Sequence, residues 1–447
     1  MKLYFSGIGG AGMSSLALFM AENGHIVSGS DRAFGKEKKH PVYDALVESG
    51  INIVSQDGDS LDCMTDVAVF STAVEKSSPD FQKALSMGIK IKTRPEMLAE
   101  MVLYFRTIAV AGTSGKSTTS GMLAFIMGML GMQPNFIGGG RVKHFKSETN
   151  PGNYLTGRSR WLVIEACESD GTIVNYSPEY SLITNLALDH HDINTTKEMF
   201  MKLVSNTKNE IFINCDDSNL ADLSGGKVIG YSLDAPSGFK PQSYILHELS
   251  SEMRIKDIDF RINLPGRHNL YNALGCLAIL DHLGVDLAAV SEVLQKFRGI
   301  DRRFDIHLNS SDKLVVDDYA HNPHKIEALM ESVSAIKKSV CYVFQPHGYS
   351  PTRLMLSQYI NTFASNLRDE DLLVLLPIYY AGGTVQDDIS SADIASGVKA
   401  MGKNAVLFSS RNELASELKG WNNIIILGAR DESLSVFASE VAQGLSG

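Results

Sequence analysis

The chain has 447 residues, 44% of them hydrophobic and 21% charged, with a formal net charge of −10. That length exceeds one ordinary core and predicts three domains of a globular protein. The acidic balance without a long basic run excludes nucleic acid as an expected partner, no apolar run reaches the roughly 18–20 residues of a membrane helix, and five scattered cysteines without C-x-x-C spacing read as reduced thiols in a cytoplasm.

The chain opens directly on a strand-like run, so no signal peptide is expected. Strand-like runs at Leu3–Ser6, Ile26–Ser30, Val67–Ser71 and Ile89–Lys92 outline a first domain over residues 1–106. Between the first run and a helix-like segment stand Gly7, Gly9, Gly10, Ala11, Gly12 and Met13, in a G-x-G-x-x-G spacing. Asp31 follows about twenty residues on, at the end of the second run. Such glycines let backbone approach a diphosphate, and the helix N-terminus favours its charge. The pattern leaves two guests open. One is a nicotinamide dinucleotide, which would make the chain an NAD-dependent oxidoreductase. The other is a UDP-sugar.

A second domain is expected over residues 107–299. Its strand-like runs are Ile108–Ala111, Trp161–Ala166, Tyr180–Asn185, Ile211–Asn214 and Val228–Tyr231. After the first run come Gly112, Thr113, Ser114, Gly115, Lys116, Ser117 and Thr118, then a helix-like segment. Strand, glycine turn, Lys-Ser, helix is the layout of a phosphate-binding loop. Lys116 would reach the β- and γ-phosphates of ATP, and Ser117 would bind Mg²⁺. Val110 stands where the general pattern has its first glycine. Glu165 stands at the end of the next run, with Glu168 and Asp170 just after it, and Asp189, His190, His191 and Asp192 follow the one after. Acids and a His at strand ends of the same sheet can hold metal and phosphate. Residues 232–260 read as an excursion with short β pieces, and His268–Leu283 as a closing helix. Asn269 and Asn272 are three apart, so they share a helix face with His268 beside them.

A third domain is expected over residues 300–447. Leu314–Asp318, Val340–Phe344, Leu372–Leu376, Ala405–Phe408 and Ile424–Leu427 alternate with helical segments, as in a doubly wound sheet. Arg303 lies at the boundary, where an Arg can stabilise charge on a transferring phosphoryl group. Asp318 and His321 end one strand-like run, and His347 and Tyr349 end the next.

Together these motifs resemble the Mur ligases over the whole chain, in order and spacing. Residues 111–119 (AGTSGKSTT) are similar to their short phosphate loop, which accounts for Val110. Residues 265–272 (PGRHNLYN), 301–304 (DRRF) and 317–323 (DDYAHNP) resemble their adenine-side helix, linker Arg and Asp loop. The N-terminal glycine segment, residues 27–31 (VSGSD), 71–74 (STAV), 94–101 (RPEMLAEM), 165–171 (EACESDG) and 344–350 (FQPHGYS) resemble the branch that acts on UDP-N-acetylmuramate. The resemblance implies an α/β chain of three domains: a Rossmann-like UDP-sugar domain, a central ATP domain and a C-terminal Rossmann-like acceptor domain. It implies an ATP-dependent ligase joining the muramoyl carboxylate to an amine through an acyl phosphate, in peptidoglycan synthesis. L-alanine is the expected acceptor; a peptide of cell-wall recycling or another amino acid are the alternatives.

The same resemblance implies roles. Gly7, Gly9, Gly10, Ala11, Gly12, Met13, Asp31, Ser71, Thr72 and Ala73 would hold the UDP-sugar. Gly112 to Thr118, His268, Asn269, Asn272, Arg303 and Asp318 would hold ATP. Lys116, Glu168, His190, Arg303 and Asp318 would carry catalysis, with two Mg²⁺ at Ser117, Glu168 and His190. His321, His347, Tyr349 and Arg353 would face the acceptor. Gly348 stands where alanine-adding members usually carry an Arg; either Arg353, one turn on, replaces it, or the pocket takes a different or larger acceptor. Lys208 sits in a stretch resembling that of a carbamylated metal-bridging lysine in sister branches, against the alternative of an ordinary surface lysine. A monomer or homodimer is expected.

Overall fold

The computed structural model describes all residues except 35–41, 170, 189–190, 224–226, 381–387 and 447. The chain divides into two compact units, Met1–Ile300 and Asp301–Gly447.

The first unit carries three sheets among the described residues. The N-terminal one is parallel, in the order Asn52–Val54, Ile26–Ser30, Lys2–Ser6, Val67–Phe70, Lys90–Thr93. Its central strands are short apolar runs because helices cover both faces, so no alternation with polar residues is needed. Helix Ala11–Glu22 begins directly behind the glycine turn and buries Met13, Leu16, Leu18 and Phe19.

The second sheet runs Lys227–Tyr231, Glu210–Asn214, Tyr180–Ile183, Arg106–Ala111, Trp161–Glu165, Asn135–Ile137, Tyr154–Leu155. It is parallel except at Tyr154–Leu155. Helices Lys116–Met129 and Arg267–His282 pack on it with apolar, fully buried faces. The excursion after Tyr231 holds a three-stranded antiparallel sheet, Ser243–Leu246, Ser251–Ile255 and Ile258–Ile262. The first two sheets are tied where Asn153 Nδ2 donates to the Ala11 carbonyl at 2.9 Å and the Tyr154 hydroxyl meets Glu22 at 2.5 Å.

For Lys208 this topology favours the surface-lysine alternative. It lies between helix Ile193–Asn206 and strand Glu210–Asn214, beside the first residues of its sheet neighbours, its N–H donating to the Pro178 carbonyl. The phosphate loop follows the opposite, carboxyl ends of the parallel strands. Lys208 is an exposed surface lysine there, not a bridge between metals.

The second unit is a six-stranded sheet in the order Asp305–Asn309, Leu314–Asp318, Asn423–Leu427, Val340–Phe344, Leu372–Leu375, Ala405–Leu407. Five strands are parallel; Asp305–Asn309 runs antiparallel on the edge and pairs with Leu314–Asp318 as a hairpin. That edge strand, like Asn135–Ile137 and Tyr154–Leu155, carries too little apolar periodicity to be read in sequence. No described helix is long and apolar enough to cross a membrane.

Candidate active site

Strand Arg106–Ala111 delivers the chain to the glycine turn with Val110 fully buried and paired between Leu182 and Glu165. Val110 is therefore strand, and the loop begins only at Gly112. Gly112 and Gly115 have φ of 135° and 84°. A Cβ on Gly112 would stand 2.0 Å from Thr184 Oγ1, and one on Gly115 would stand 2.5 Å from Asn272 Oδ1. Both positions need glycine for conformation and for space.

The loop is held from the neighbouring strand end. Asn185 Oδ1 accepts from Thr113 Oγ1 and from the Ser114 N–H, both at 2.8 Å, while its Nδ2 donates to the Ser114 carbonyl at 2.9 Å. Thr184 Oγ1 donates to the same carbonyl at 2.7 Å. Asn185 was legible only as part of a polar loop; its side-chain role needed the sheet register that places it beside Ser114.

Lys116 opens helix Lys116–Met129 and turns back over the loop. Its Nζ donates to the Gly112 carbonyl at 2.6 Å and to Glu168 Oε2 at 2.8 Å. Lys116 and Glu168 are both buried. Burial opposes the ammonium, yet the charge of Glu168, with Cys167 and Glu165 nearby, raises its pKa overall. Ser117 Oγ lies 2.9 Å from both oxygens of Glu165, whose Oε2 also accepts from the Gly139 N–H at 2.9 Å. Glu165 is one of the strand-end acids expected from sequence; its pairing with the Ser117 hydroxyl follows only from the sheet register. Thr118 is buried in the first helical turn.

Asn272 Oδ1 accepts from Thr119 Oγ1 at 3.0 Å, and its Nδ2 donates to Asn269 Oδ1 at 3.1 Å. Asn269 in turn donates to the Pro265 carbonyl at 2.8 Å and sits 3.1 Å from His268 Nε2. Helix Arg267–His282 thus braces the phosphate loop with the shared face that Asn269 and Asn272 were expected to form. His190 lies outside the described residues.

Among the described residues no group of three or more His, Cys, Asp or Glu could hold a metal ion. The Ser117 hydroxyl with the Glu165 and Glu168 carboxylates is nevertheless a hard, all-oxygen set. It fits Mg²⁺, which takes one or two protein carboxylates and fills its octahedron with phosphate oxygens and water. The inward-facing loop with a helix N-terminus behind it fits a triphosphate.

The N-terminal glycines form a second cradle. The Gly7 and Ile8 N–H groups donate to the Ser30 carbonyl at 2.8 and 3.0 Å, and the Gly9 N–H donates to Asp31 Oδ2 at 2.7 Å. A Cβ on Gly7 would meet Ser71 at 2.8 Å, and one on Gly12 would meet Arg94 Cδ at 3.2 Å. Gly7, Asp31 and Ser71 thus meet at the carboxyl ends of three adjacent strands. Thr72 and Ala73 are exposed beyond Ser71, and Gly10 and Ala11 lead into the helix. Met13 sends its side chain into the core, leaving only its backbone toward the loop. One further group supports this cradle: buried Asp80 accepts from Tyr4, Ser6 and Ser30 hydroxyls at 2.8, 2.8 and 2.6 Å, pinning two strand ends together.

In the second unit the paired arginines diverge. Arg302 is buried against Asp317 at 3.0 Å, while Arg303 lies over the Tyr319 ring at 5.1 Å. Asp318 accepts from the Phe304 and Ala320 N–H groups, both at 2.7 Å. His321 and His347 have ring centroids 5.3 Å apart, and Tyr349 and Tyr380 are 5.8 Å apart. Burial lowers the His321 and His347 pKa values to about 3 and about 4, helped by Lys325 and by Arg430 respectively. Arg353 forms an ion pair with Asp388. Its charge is therefore already matched.

The first unit's fold and loops define a phosphate-loop α/β protein with a second, Rossmann-like nucleotide cradle. Three family models cover the chain in succession: "Mur ligase family, catalytic domain" over residues 2–106, "Mur ligase middle domain" over 110–280 and "Mur ligase, glutamate ligase domain" over 302–430. A UDP-N-acetylmuramate–L-alanine ligase of Fusobacterium nucleatum is 31% identical, the match covering 100% of this chain and 97% of that protein. The structure of a UDP-N-acetylmuramate–alanine ligase from Thermotoga maritima superposes with a TM-score of 0.80 at 26% identity, covering 99% of this chain and 98% of that one. A murein peptide ligase from Psychrobacter arcticus shares the fold, with a TM-score of 0.71 at 22% identity over 100% of this chain and 99% of that one. The chain belongs to the Mur ligase family.

Proposed function

We propose that this chain is an ATP-dependent ligase that joins the muramoyl carboxylate of UDP-N-acetylmuramate to the amine of L-alanine, in peptidoglycan synthesis. The observation that carries the reading is full-length likeness to alanine-adding ligases combined with an intact phosphate loop whose Lys116 and Ser117 face Glu168 and Glu165. Residues 1–106 would hold the UDP-sugar, 107–299 ATP and 300–447 the acceptor. The cytoplasm, which supplies ATP, is the compartment proposed.

The chemistry follows in two steps. A carboxylate oxygen attacks the γ-phosphorus and ADP leaves, giving an acyl phosphate. The acceptor's neutral amine then attacks the acyl carbon, phosphate leaves, and the nitrogen loses a proton. Catalysis of this kind is mostly positioning and charge neutralisation. Bound Mg²⁺ supplies charge neutralisation at the phosphates, held by Ser117 with Glu165 and Glu168; His190 is proposed for a second ion. Lys116 answers the phosphate charge, and Gly112 to Thr118 offer backbone N–H groups. Asn272 and Asn269 keep the loop in place. Gly7, Gly9, Asp31 and Ser71 would accept the diphosphate of the UDP-sugar. Arg303 would stabilise the transferring phosphoryl group.

The test is acceptor-dependent phosphate release with ATP, Mg²⁺ and UDP-N-acetylmuramate. L-alanine should give the fastest release, with UDP-N-acetylmuramoyl-L-alanine as product. Release with a tripeptide and none with L-alanine would move the chain to a recycling role. NADH oxidation without phosphate release would refute the ligase reading.

A further inference from the structure

Residue 348 cannot carry the acceptor's counter-charge. Gly348 has φ 70° and ψ 128°, a conformation that side chains disfavour, and an added Cβ would stand 3.2 Å from Pro351 Cδ. Arg353, the cation one turn on, is occupied by Asp388.

A different cation stands at the same edge of the sheet. Arg430 follows strand Asn423–Leu427, the neighbour of Val340–Phe344, whose end carries His347. It is exposed, and its guanidinium makes no ion pair or hydrogen bond to a described residue. Its backbone is left-handed, φ 68°, which is costly for an arginine.

The surrounding structure holds that conformation. Buried Arg302 donates to the carbonyls on both sides of Arg430, that of Gly428 at 2.6 Å and that of Asp431 at 3.0 Å. The Asp431 carboxylate is bound by Arg411 and Ser433. The Arg430 N–H donates to Tyr319 Oη at 3.3 Å. Tyr319 in turn packs edge-on against His321, centroids 5.7 Å apart, and His321 against His347. The Gln345 N–H donates to the Leu427 carbonyl at 3.0 Å, so the loops that carry His347 and Arg430 leave adjacent strand ends.

We infer that Arg430 binds the α-carboxylate of the amino-acid acceptor, moving that contact from the loop after Phe344 to the loop after Leu427. The inference rests on the acceptor reading of the second unit. A fixed backbone presents a planar fork suited to a carboxylate, and the neutral imidazoles beside it add no competing charge. The chemistry selected is an amino acid with a free α-carboxylate.

Steady-state kinetics on the full chain tests this with L-alanine, L-serine and glycine, each against its carboxamide, at saturating ATP and UDP-N-acetylmuramate. Comparing the acid-to-amide ratio between variants cancels the amide's intrinsic reactivity. Arg430→Gly should lower that ratio in kcat/KM by about tenfold to a hundredfold, the range expected for one charged contact. Glycine suits φ 68°, so the variant should keep its melting temperature and its KM for ATP. Arg430→Lys should retain part of the preference. An unchanged ratio in Arg430→Gly overturns the inference. No phosphate release by the wild type with any of the six amines overturns the acceptor reading, and the inference with it.

Discussion

The Ser117 hydroxyl lies 2.9 Å from both oxygens of Glu165, and the same carboxylate receives the Gly139 N–H. A residue at the end of one strand therefore orients the hydroxyl at the start of the neighbouring helix. Glu165→Gln keeps an acceptor for both donors and removes the charge. The Mg²⁺ concentration for half-maximal activity should rise by about tenfold or more, because one carboxylate of the proposed Mg²⁺ set loses its charge. A Mg²⁺ titration at fixed ATP measures this, and an unshifted curve would show that Glu165 only supports the fold.

Lys116→Ala should reduce ligation by about a thousandfold or more, the scale of losing a charge that meets the transferring phosphoryl group. UDP-N-acetylmuramate binding, read by calorimetry, should persist because the glycine cradle lies in a different sheet. The variant should also melt earlier, since Glu168 would be buried without its cation; breaking a buried pair costs about 3–5 kcal/mol. Adding Glu168→Gln should recover stability and leave activity absent. Near-normal turnover in Lys116→Ala would disprove the phosphate-loop role.

Gly9→Val should weaken UDP-N-acetylmuramate binding by about tenfold or more, about 1.4 kcal/mol, without altering ATP affinity. An added Cβ would stand 2.9 Å from Asp31 Oδ2, the atom that accepts the Gly9 N–H. The loop must therefore shift. Asp31→Ala should act in the same direction by releasing that N–H. Titration of each nucleotide separately is the check, and equal loss of both would mean general unfolding.

His321 and His347 give stability an acid dependence. Their pKa values fall from 6.5 to about 3 and about 4, chiefly through burial. The unfolded chain then binds more protons between those values and 6.5, so stability rises with pH through that window. The contribution is complete above about 6.5 and is lost as pH falls toward 4. Melting temperatures from pH 4 to 8 should fall more steeply on the acid side for the wild type than for His347→Gln. Parallel curves would contradict a neutral, buried His347.

Sequence alone determined the elements whose chemistry is local. Gly112, Gly115 and Lys116 were legible because a phosphate loop is one turn between a strand and a helix, and so were the N-terminal glycines with Asp31. The parallel strands were legible because strands covered on both faces become uniform apolar runs. Tyr154–Leu155 and Asp305–Asn309 were not, because an edge strand is fixed by its partner and not by its own pattern. Only the tertiary structure decided which polar residues face each site. Sheet register brings Asn185 to Ser114 and Glu165 to Ser117 across 71 and 48 positions of chain. It also turns Arg302 inward to Asp317 while Arg303 stays outside, though both stand side by side in the same motif. Lys208 lies at the far end of its strand, a fact of strand direction that its local motif does not contain. Arg430 is exposed by a left-handed turn held by Arg302, 128 positions away. Such a conformation costs energy locally and persists only because distant hydrogen bonds hold it.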